Sequence, residues 1–255
     1  MLDTRAQACG FFHILELPTI DSTSEEAKRL ARAGAPEGTL IWALRQTAGH
    51  GRFGRSWISP FGNLYFSLLL RPDLPPQQTM QLTFVAAHAM ADSISAIVPA
   101  GAAVTCKWPN DVLISGKKVS GILLESSLDD AGRVDSLVIG IGVNVASHPP
   151  PQDVHYPATS LWAEGAPAET ARSVLEMFCP AFLAWYREWR QRGFHPVREA
   201  WLARAERLHR PIQVRLESDT TAGIFADLDP TGALILRQGR GQRLILAGDV
   251  FPPGS

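Results

Sequence analysis

The residues best suited to chemistry lie in three short clusters. In Gln46-Thr47-Ala48-Gly49-His50-Gly51-Arg52-Phe53-Gly54-Arg55-Ser56-Trp57, three glycines and two arginines fall within one segment. Glycine lets the backbone approach an anion closely, arginine offers a planar fork of donors to phosphate or carboxylate, and Trp57 can stack on a flat ring. Across residues 38–72 there is no Asp or Glu, while Arg45, Arg52, Arg55 and Arg71 fall inside, so the local field favours an anionic ligand although the whole chain carries a net charge of -1. A solvated turn between two strands is the alternative reading of such a loop. In the second cluster, Lys107-Trp108-Pro109-Asn110-Asp111 is followed by Lys117-Lys118 and Gly121, which could turn two lysines toward one ligand or could be only a proline-kinked turn. The third, Val138-Ile139-Gly140-Ile141-Gly142-Val143-Asn144-Val145, puts two missing side chains on one face of a strand. A flat ligand could lie there, or the sheet could bend.

Holding these clusters together requires a mixed scaffold. Asp21-Ser22-Thr23-Ser24-Glu25-Glu26 pairs N-cap hydroxyls with Glu three residues on, which predicts a helix to about Gly34. Residues 38–44 and 63–70 are apolar strand formers flanking the Gly/Arg loop, which becomes a connection between neighbouring strands. One long helix is predicted over 75–98, then a short strand into Lys107, a tight connection at Ser115-Gly116-Lys117-Lys118, and strands over 119–125 and 134–145 in one mostly antiparallel or mixed sheet. The strand from Val134 could offer a sheet edge for a second copy or a partner. Residues 147–157 are polar, proline-rich loop. Val174, Phe178, Phe182, Trp185 and Trp189 recur at helical spacing and read as core. After a linker helix over 193–208 the pattern becomes short alternating strands, 212–216, 223–228, 232–236 and 243–246, a small β-barrel. The chain thus divides into a larger unit, 1–208, and a smaller one, 209–255.

Composition narrows the field of partners. The 255 residues include 45% hydrophobic and 19% charged residues and are nearly neutral overall, so nothing draws the chain wholesale to nucleic acid or membrane. Cys9, Cys106 and Cys179 are odd in number without paired spacing, which predicts buried thiols in a reducing compartment. No apolar run approaches about 18 residues and no signal-peptide pattern opens the chain, so a soluble cytoplasmic protein is expected.

Taken in order, AGHGRFGRSW, KWPNDV with KKVSGILLE, and VIGIGVNV closely resemble the biotin protein ligases, which attach biotin to a lysine of a carrier domain. The resemblance covers about residues 12–190, and the segment from Pro211, with GIFADLDPTGALIL and the final GDV, looks like that family's C-terminal SH3-like barrel. It implies an α+β fold, a mixed and mostly antiparallel sheet flanked by helices. It also implies a two-step reaction with ATP and Mg2+, in which biotinyl-5'-AMP forms and biotin then passes to a carrier protein of acetyl-CoA carboxylase or a related carboxylase. Lys107 corresponds to the residue where biotin carboxylate and α-phosphate meet, Arg52 to the arginine that holds the adenylate, and Arg55 to one that reaches the nucleotide phosphates. Trp57 corresponds to a tryptophan near adenine, Asn144 to an asparagine near phosphates and metal. Ser22, Thr23 and Gln46 match ureido-contacting positions, with Gly49, Gly140 and Gly142 bordering tail and ring. Asp111 and Lys118 resemble the pair associated with transfer, where the carboxylate could orient or deprotonate the incoming amine. Helix capping accounts equally for Ser22 and Thr23, a surface ion pair for Arg55, an exposed hairpin position for Lys118, and a backbone tie for Asn144. His50 departs from the arginine many relatives carry. Magnesium ligands are unassigned, and monomer and homodimer are both open.

A lipoate or octanoate ligase shares the implied fold and adenylate chemistry, but the GxGRxGRxW and KWPND strings belong to the biotin enzymes. A nucleic-acid-binding regulator is the more distant alternative. Relatives that act as repressors carry an N-terminal helix-turn-helix, whereas here the catalytic pattern begins near His13, and the C-terminal acids match its arginines.

Overall fold

The computed structural model describes residues 10–154, 156–217 and 219–254. Cys9 lies outside them, whereas Cys106 and Cys179 are buried, as the sequence predicts. A seven-stranded mixed sheet carries the architecture. Its strands are β1 (His13–Leu17), β2 (Thr39–Ala43), β3 (Leu64–Leu70), β4 (Val104–Lys107), β5 (Asp111–Ile114), β6 (Lys117–Leu128) and β7 (Val134–Val143), in the spatial order β1-β2-β3-β7-β6-β5-β4. Only β1 and β2 run parallel, joined by helix α1 (Thr23–Arg32); every other pairing is antiparallel. Both β2 and β3 are buried at every position, because helices cover both faces of the sheet's centre. On one side lie α3 (Leu82–Ser95) and α4 (Ala171–Arg192), and on the other α1 seals a smaller cluster of Ala27, Ala31, Ile41, Leu69 and Val138.

Four sequence expectations need correction. The long helix over 75–98 is two, α2 (Pro76–Thr79) and α3, divided where Gln81, Thr83 and Phe84 each donate a backbone bond three residues back. Gln81 is fixed at that break, accepting from Trp189 Nε1 at 2.9 Å and donating to Pro230 O at 3.3 Å. The strand from Val134 is not an edge: β7 sits between β3 and β6. Strands β1 and β5 were not expected from their short sequences, although β5 makes the hairpin that faces Lys107 with Asp111. Finally, the C-terminal strands β8 (Pro211–Arg215), β9 (Thr220–Leu228), β10 (Leu234–Gln238), β11 (Gly241–Ile245) and β12 (Asp249–Phe251) form an antiparallel sheet in the order β11-β10-β9-β8-β12, with no β11–β12 pairing among the described residues. The barrel is not closed, and the sheet packs on the larger unit: Trp108 Nε1 donates to Gly232 O at 3.1 Å, and Phe225 lies 6.5 Å from Trp201 of α5 (Phe194–Leu202).

The aromatic stripe of α4 is core, as its spacing predicts. Phe178, Phe182, Tyr186 and Trp189 stack successively at 5.4, 5.7 and 5.9 Å, with Phe66 of β3 5.0 Å from Phe178. No helix among the described residues is long and apolar enough to cross a membrane.

Candidate active site

The three sequence clusters converge on one cavity of about 440 Å³, within the range that holds a nucleotide-sized ligand. Its cationic end is built by a hairpin. Lys107 and Asp111 are register partners across β4 and β5, with the cis Trp108–Pro109 bond in the turn between them. Lys107 Nζ lies 2.8 Å from Asp111 Oδ2, while Lys118 of β6 approaches Asp111 Oδ1 at 2.6 Å. Asp111 is 5% exposed. Burial pushes its carboxyl up, but the two ammonium groups outweigh that and hold it below the usual carboxylate range. Lys117, next in sequence, instead pairs with Glu164.

Above this end stands the Gly/Arg loop, a small hairpin closed by Gly51 N donating to Arg55 O at 2.7 Å. Arg52 Nη1 donates to Asn110 Oδ1 at 3.3 Å and Gly248 O at 3.2 Å and lies 3.6 Å from Asp249 Oδ1; Arg55 pairs with the other oxygen of Asp249. A carboxylate from the C-terminal sheet therefore joins both loop arginines, a contact absent from the sequence reading. Burial pushes the Arg52 guanidinium down, opposed by Asp249 and Asp111, so this buried charge gains from any further anion.

The opposite end is polar but neutral. Ser22 caps α1, accepting from Glu25 N at 3.4 Å. Gln46 Oε1 accepts from Thr23 N at 2.8 Å and Thr23 Oγ1 at 3.1 Å, and its Nε2 donates to Ser59 Oγ at 3.0 Å. These bonds lash the loop's root to the helix start, so Ser22 both caps the helix and lines the cavity, whereas Thr23 lines it with its hydroxyl turned to Gln46 and not to a cap. Gly140 and Gly142 form part of the floor, although their missing side chains make room for protein: a Cβ at Gly140 would meet Ser24 Oγ at 2.5 Å, and one at Gly142 would meet Trp57 Cε2 at 2.4 Å. Gly49 does not line the cavity; a Cβ there would strike Ser59 Oγ at 2.6 Å, so its glycine serves close packing of the loop. Asn144 lines the wall and donates from Nδ2 to Thr159 O at 3.0 Å, tying down the strand end.

Trp57 thus lies flat on Gly142, with Lys118 Nζ 5.3 Å from its ring. Gly142→Ala is expected to unseat that ring and loosen the loop root. Tryptic cleavage after Arg52 and Arg55 should accelerate several-fold, whereas an unchanged cleavage rate would mean the ring tolerates the methyl.

His50 points away from the cations, its Nε2 3.4 Å from Glu125 Oε2 and 4.0 Å from Glu25 Oε1. Glu25, His50 and Glu125 bring one ligand atom each within 4.8 Å of one another, but Lys28 Nζ already sits 2.7 Å from Glu25 Oε1 and 2.6 Å from Glu125 Oε1. An ammonium occupies the position a metal ion would need.

Two family models match the chain: Biotin/lipoate A/B protein ligase family over residues 16–144, and Biotin protein ligase C terminal domain over 208–251. A biotin–[acetyl-CoA-carboxylase] ligase of Paracoccus denitrificans is 42% identical over 238 residues, covering 92% of this chain and 98% of that protein. The bifunctional ligase/repressor BirA of Bacillus subtilis is 37% identical over 241 residues, 93% of this chain and 73% of that protein. Among solved structures, the biotin protein ligase from Aquifex aeolicus in complex with biotin and ATP superposes with a TM-score of 0.78 at 29% identity, covering 94% of this chain and 97% of that one.

Proposed function

This chain belongs to the biotin/lipoate A/B protein ligase family, and we propose that its cavity joins biotin to ATP as biotinyl-5'-AMP and then passes biotin to a lysine of a carrier protein, such as that of acetyl-CoA carboxylase. The observation that carries this reading is the convergence of Lys107, Lys118, Arg52 and Arg55 on one cavity that is also lined by the neutral donors and acceptors of Ser22, Thr23 and Gln46. Two anions must meet in the first step, and the cations supply the charge that lets them. The ureido group, neutral and rich in both donors and acceptors, matches Ser22, Thr23 and Gln46.

In the first step the biotin carboxylate attacks the α-phosphate and pyrophosphate leaves. Lys107 stands where carboxylate and phosphate meet; Arg52 and Arg55 take the phosphates, Trp57 borders the adenine and Asn144 the phosphate path. In the second step a neutral lysine amine attacks the mixed anhydride and AMP leaves. Asp111 is held ionised by two ammonium groups, so it takes the role of fixing Lys107 and Lys118 and not that of accepting the amine's proton. Of the carboxylates that line the cavity, Asp111 and Asp249 are each shared by two cations. Mg2+ would be held by the nucleotide's own phosphate oxygens. The catalytic unit is assigned to residues 1–208 and the C-terminal unit to 209–255, in a cytoplasmic protein.

Pyrophosphate exchange into ATP tests the reading, comparing biotin, lipoate and octanoate with no added acid. Exchange with biotin alone is expected; exchange with only lipoate or octanoate would transfer the protein to the other branch of the family, and no exchange would remove the activity. A further expectation concerns Asp249. Because its carboxylate holds Arg52 and Arg55 where nucleotide phosphates must bind, Asp249→Asn should lower the KM for ATP several-fold in the same assay, and a raised KM would mean that Asp249 aligns the arginines for the nucleotide.

A further inference from the structure

The proline-rich segment after β7 has no periodicity, yet one of its residues reaches the centre of the cavity. Tyr156 lays its ring over Lys107, with Nζ 4.8 Å from the ring centroid. Its backbone is pinned beside that point, since Lys118 N donates to Pro157 O at 2.7 Å and Thr159 N donates to Lys118 O at 2.9 Å. The ring also meets Phe251 of β12 at 6.3 Å, with planes inclined at 47°. Phe251 in turn lies beneath the Arg215 guanidinium, 4.6 Å away. Tyr156 is therefore held between the floor of the cavity and the C-terminal sheet.

We propose that Tyr156 is a positioning residue for Lys107, acting through the face of its ring. The inference rests on the reading of Lys107 as the group between carboxylate and α-phosphate. A lysine ammonium is a compact charge on a flexible four-carbon stem, so a site that needs it in one place must take away its freedom. Asp111 engages the ammonium from one side at 2.8 Å. The ring closes a second side by cation–π attraction, strongest where water is excluded, and Lys107 is only 6% exposed. The remaining donors are left to the cavity. Displacement of a catalytic group by about 1 Å costs on the order of 10²-fold, so restraint of this kind reads out in kcat more than in ligand affinity. Burial pushes the Tyr156 phenol up to about 12, aided by Glu206 and Asp111, so the hydroxyl stays protonated and adds no charge of its own.

The test is biotin-dependent pyrophosphate exchange by the full chain carrying Tyr156→Phe, Tyr156→Trp, Tyr156→Leu or Tyr156→Met, with Tm recorded for each. The aromatic variants should keep kcat within about threefold of the parent, while Leu and Met lose about tenfold or more with the KM for biotin nearly unchanged. Wild-type activity in Tyr156→Leu would overturn the proposal. So would Tyr156→Phe falling as far as Leu, which would put the role on the hydroxyl, or activities that follow Tm and not aromaticity. A parent protein that exchanges no pyrophosphate with biotin would remove the functional reading, and this inference with it.

Discussion

Lys107→Ala is expected to give a folded protein in which biotin no longer drives pyrophosphate exchange, with kcat lower by about 10³-fold. The size of the effect follows from placement. The ammonium is almost wholly buried, 2.8 Å from Asp111 and beneath the Tyr156 ring, whereas the neighbouring Lys118 is held at the other oxygen of that carboxylate. Folding should survive, because Asp111 keeps Lys118 at 2.6 Å and is not left as an unpaired buried charge. Lys107→Arg preserves the charge but not the shape: a planar fork cannot fill the position of a compact ammonium between a carboxylate and a ring face. It should recover less than a tenth of the parent rate. Steady-state exchange alongside thermal melting checks both variants, and a well-folded Lys107→Ala that kept more than a tenth of the parent kcat would put the charge neutralisation elsewhere, with Arg52 the next residue to replace.

The C-terminal sheet changes how the Gly/Arg loop is understood. Phe53, a non-glycine residue at φ 56, stands exposed with the guanidinium carbons of Arg52 and Arg55 4.8 and 5.5 Å from its ring, so the loop offers both arginines on one side. That side faces Asp249 of the C-terminal sheet, so one carboxylate holds both guanidinium groups of the loop.

Local chemistry made much of this legible in the sequence. Ser22 caps α1 as its hydroxyl suggests, although Glu25 turns to Lys28 and does not complete a capping box, and the glycines of β7 mark the floor because period-two spacing survives in any sheet. What stayed hidden depends on partners distant in sequence. Whether β7 is an edge or a central strand is decided by its pairing with β3 and β6, and its own residues are apolar in either case. The break before α3 needs Trp189 and Pro230 to hold Gln81. Asp249 lies 194 residues from Arg55, and Tyr156 sits in a segment where proline suppresses every periodic signal. Asn110 lies within the KWPND string, but its role in receiving Arg52 appears only once the hairpin turns it toward the loop.

Asp111→Ala should be the most destabilising single change in the site, by about 3–5 kcal/mol, because it strands a buried cation. Lys118 has an outlet, its side chain being 26% exposed, whereas that of Lys107 is 7% exposed and has none. The carboxyl of Asp111 is lowered in the folded state, so the unfolded chain binds the proton more readily. Its contribution is then fully present above the ordinary carboxylate pKa of about 4 and is lost as pH falls below that value toward the folded one. Asp111→Asn, which keeps the shape and removes the charge, isolates this term. Urea midpoints of the parent and Asp111→Asn should differ equally at pH 7 and pH 5 and begin to converge by pH 3, with most of the gap closing only at still lower pH. A gap that stayed constant over that range would mean that packing, not the ion pair, accounts for the loss. Exchange activity of Asp111→Asn at pH 7 should fall with it, since a lysine that has lost its carboxylate is held by the Tyr156 ring alone.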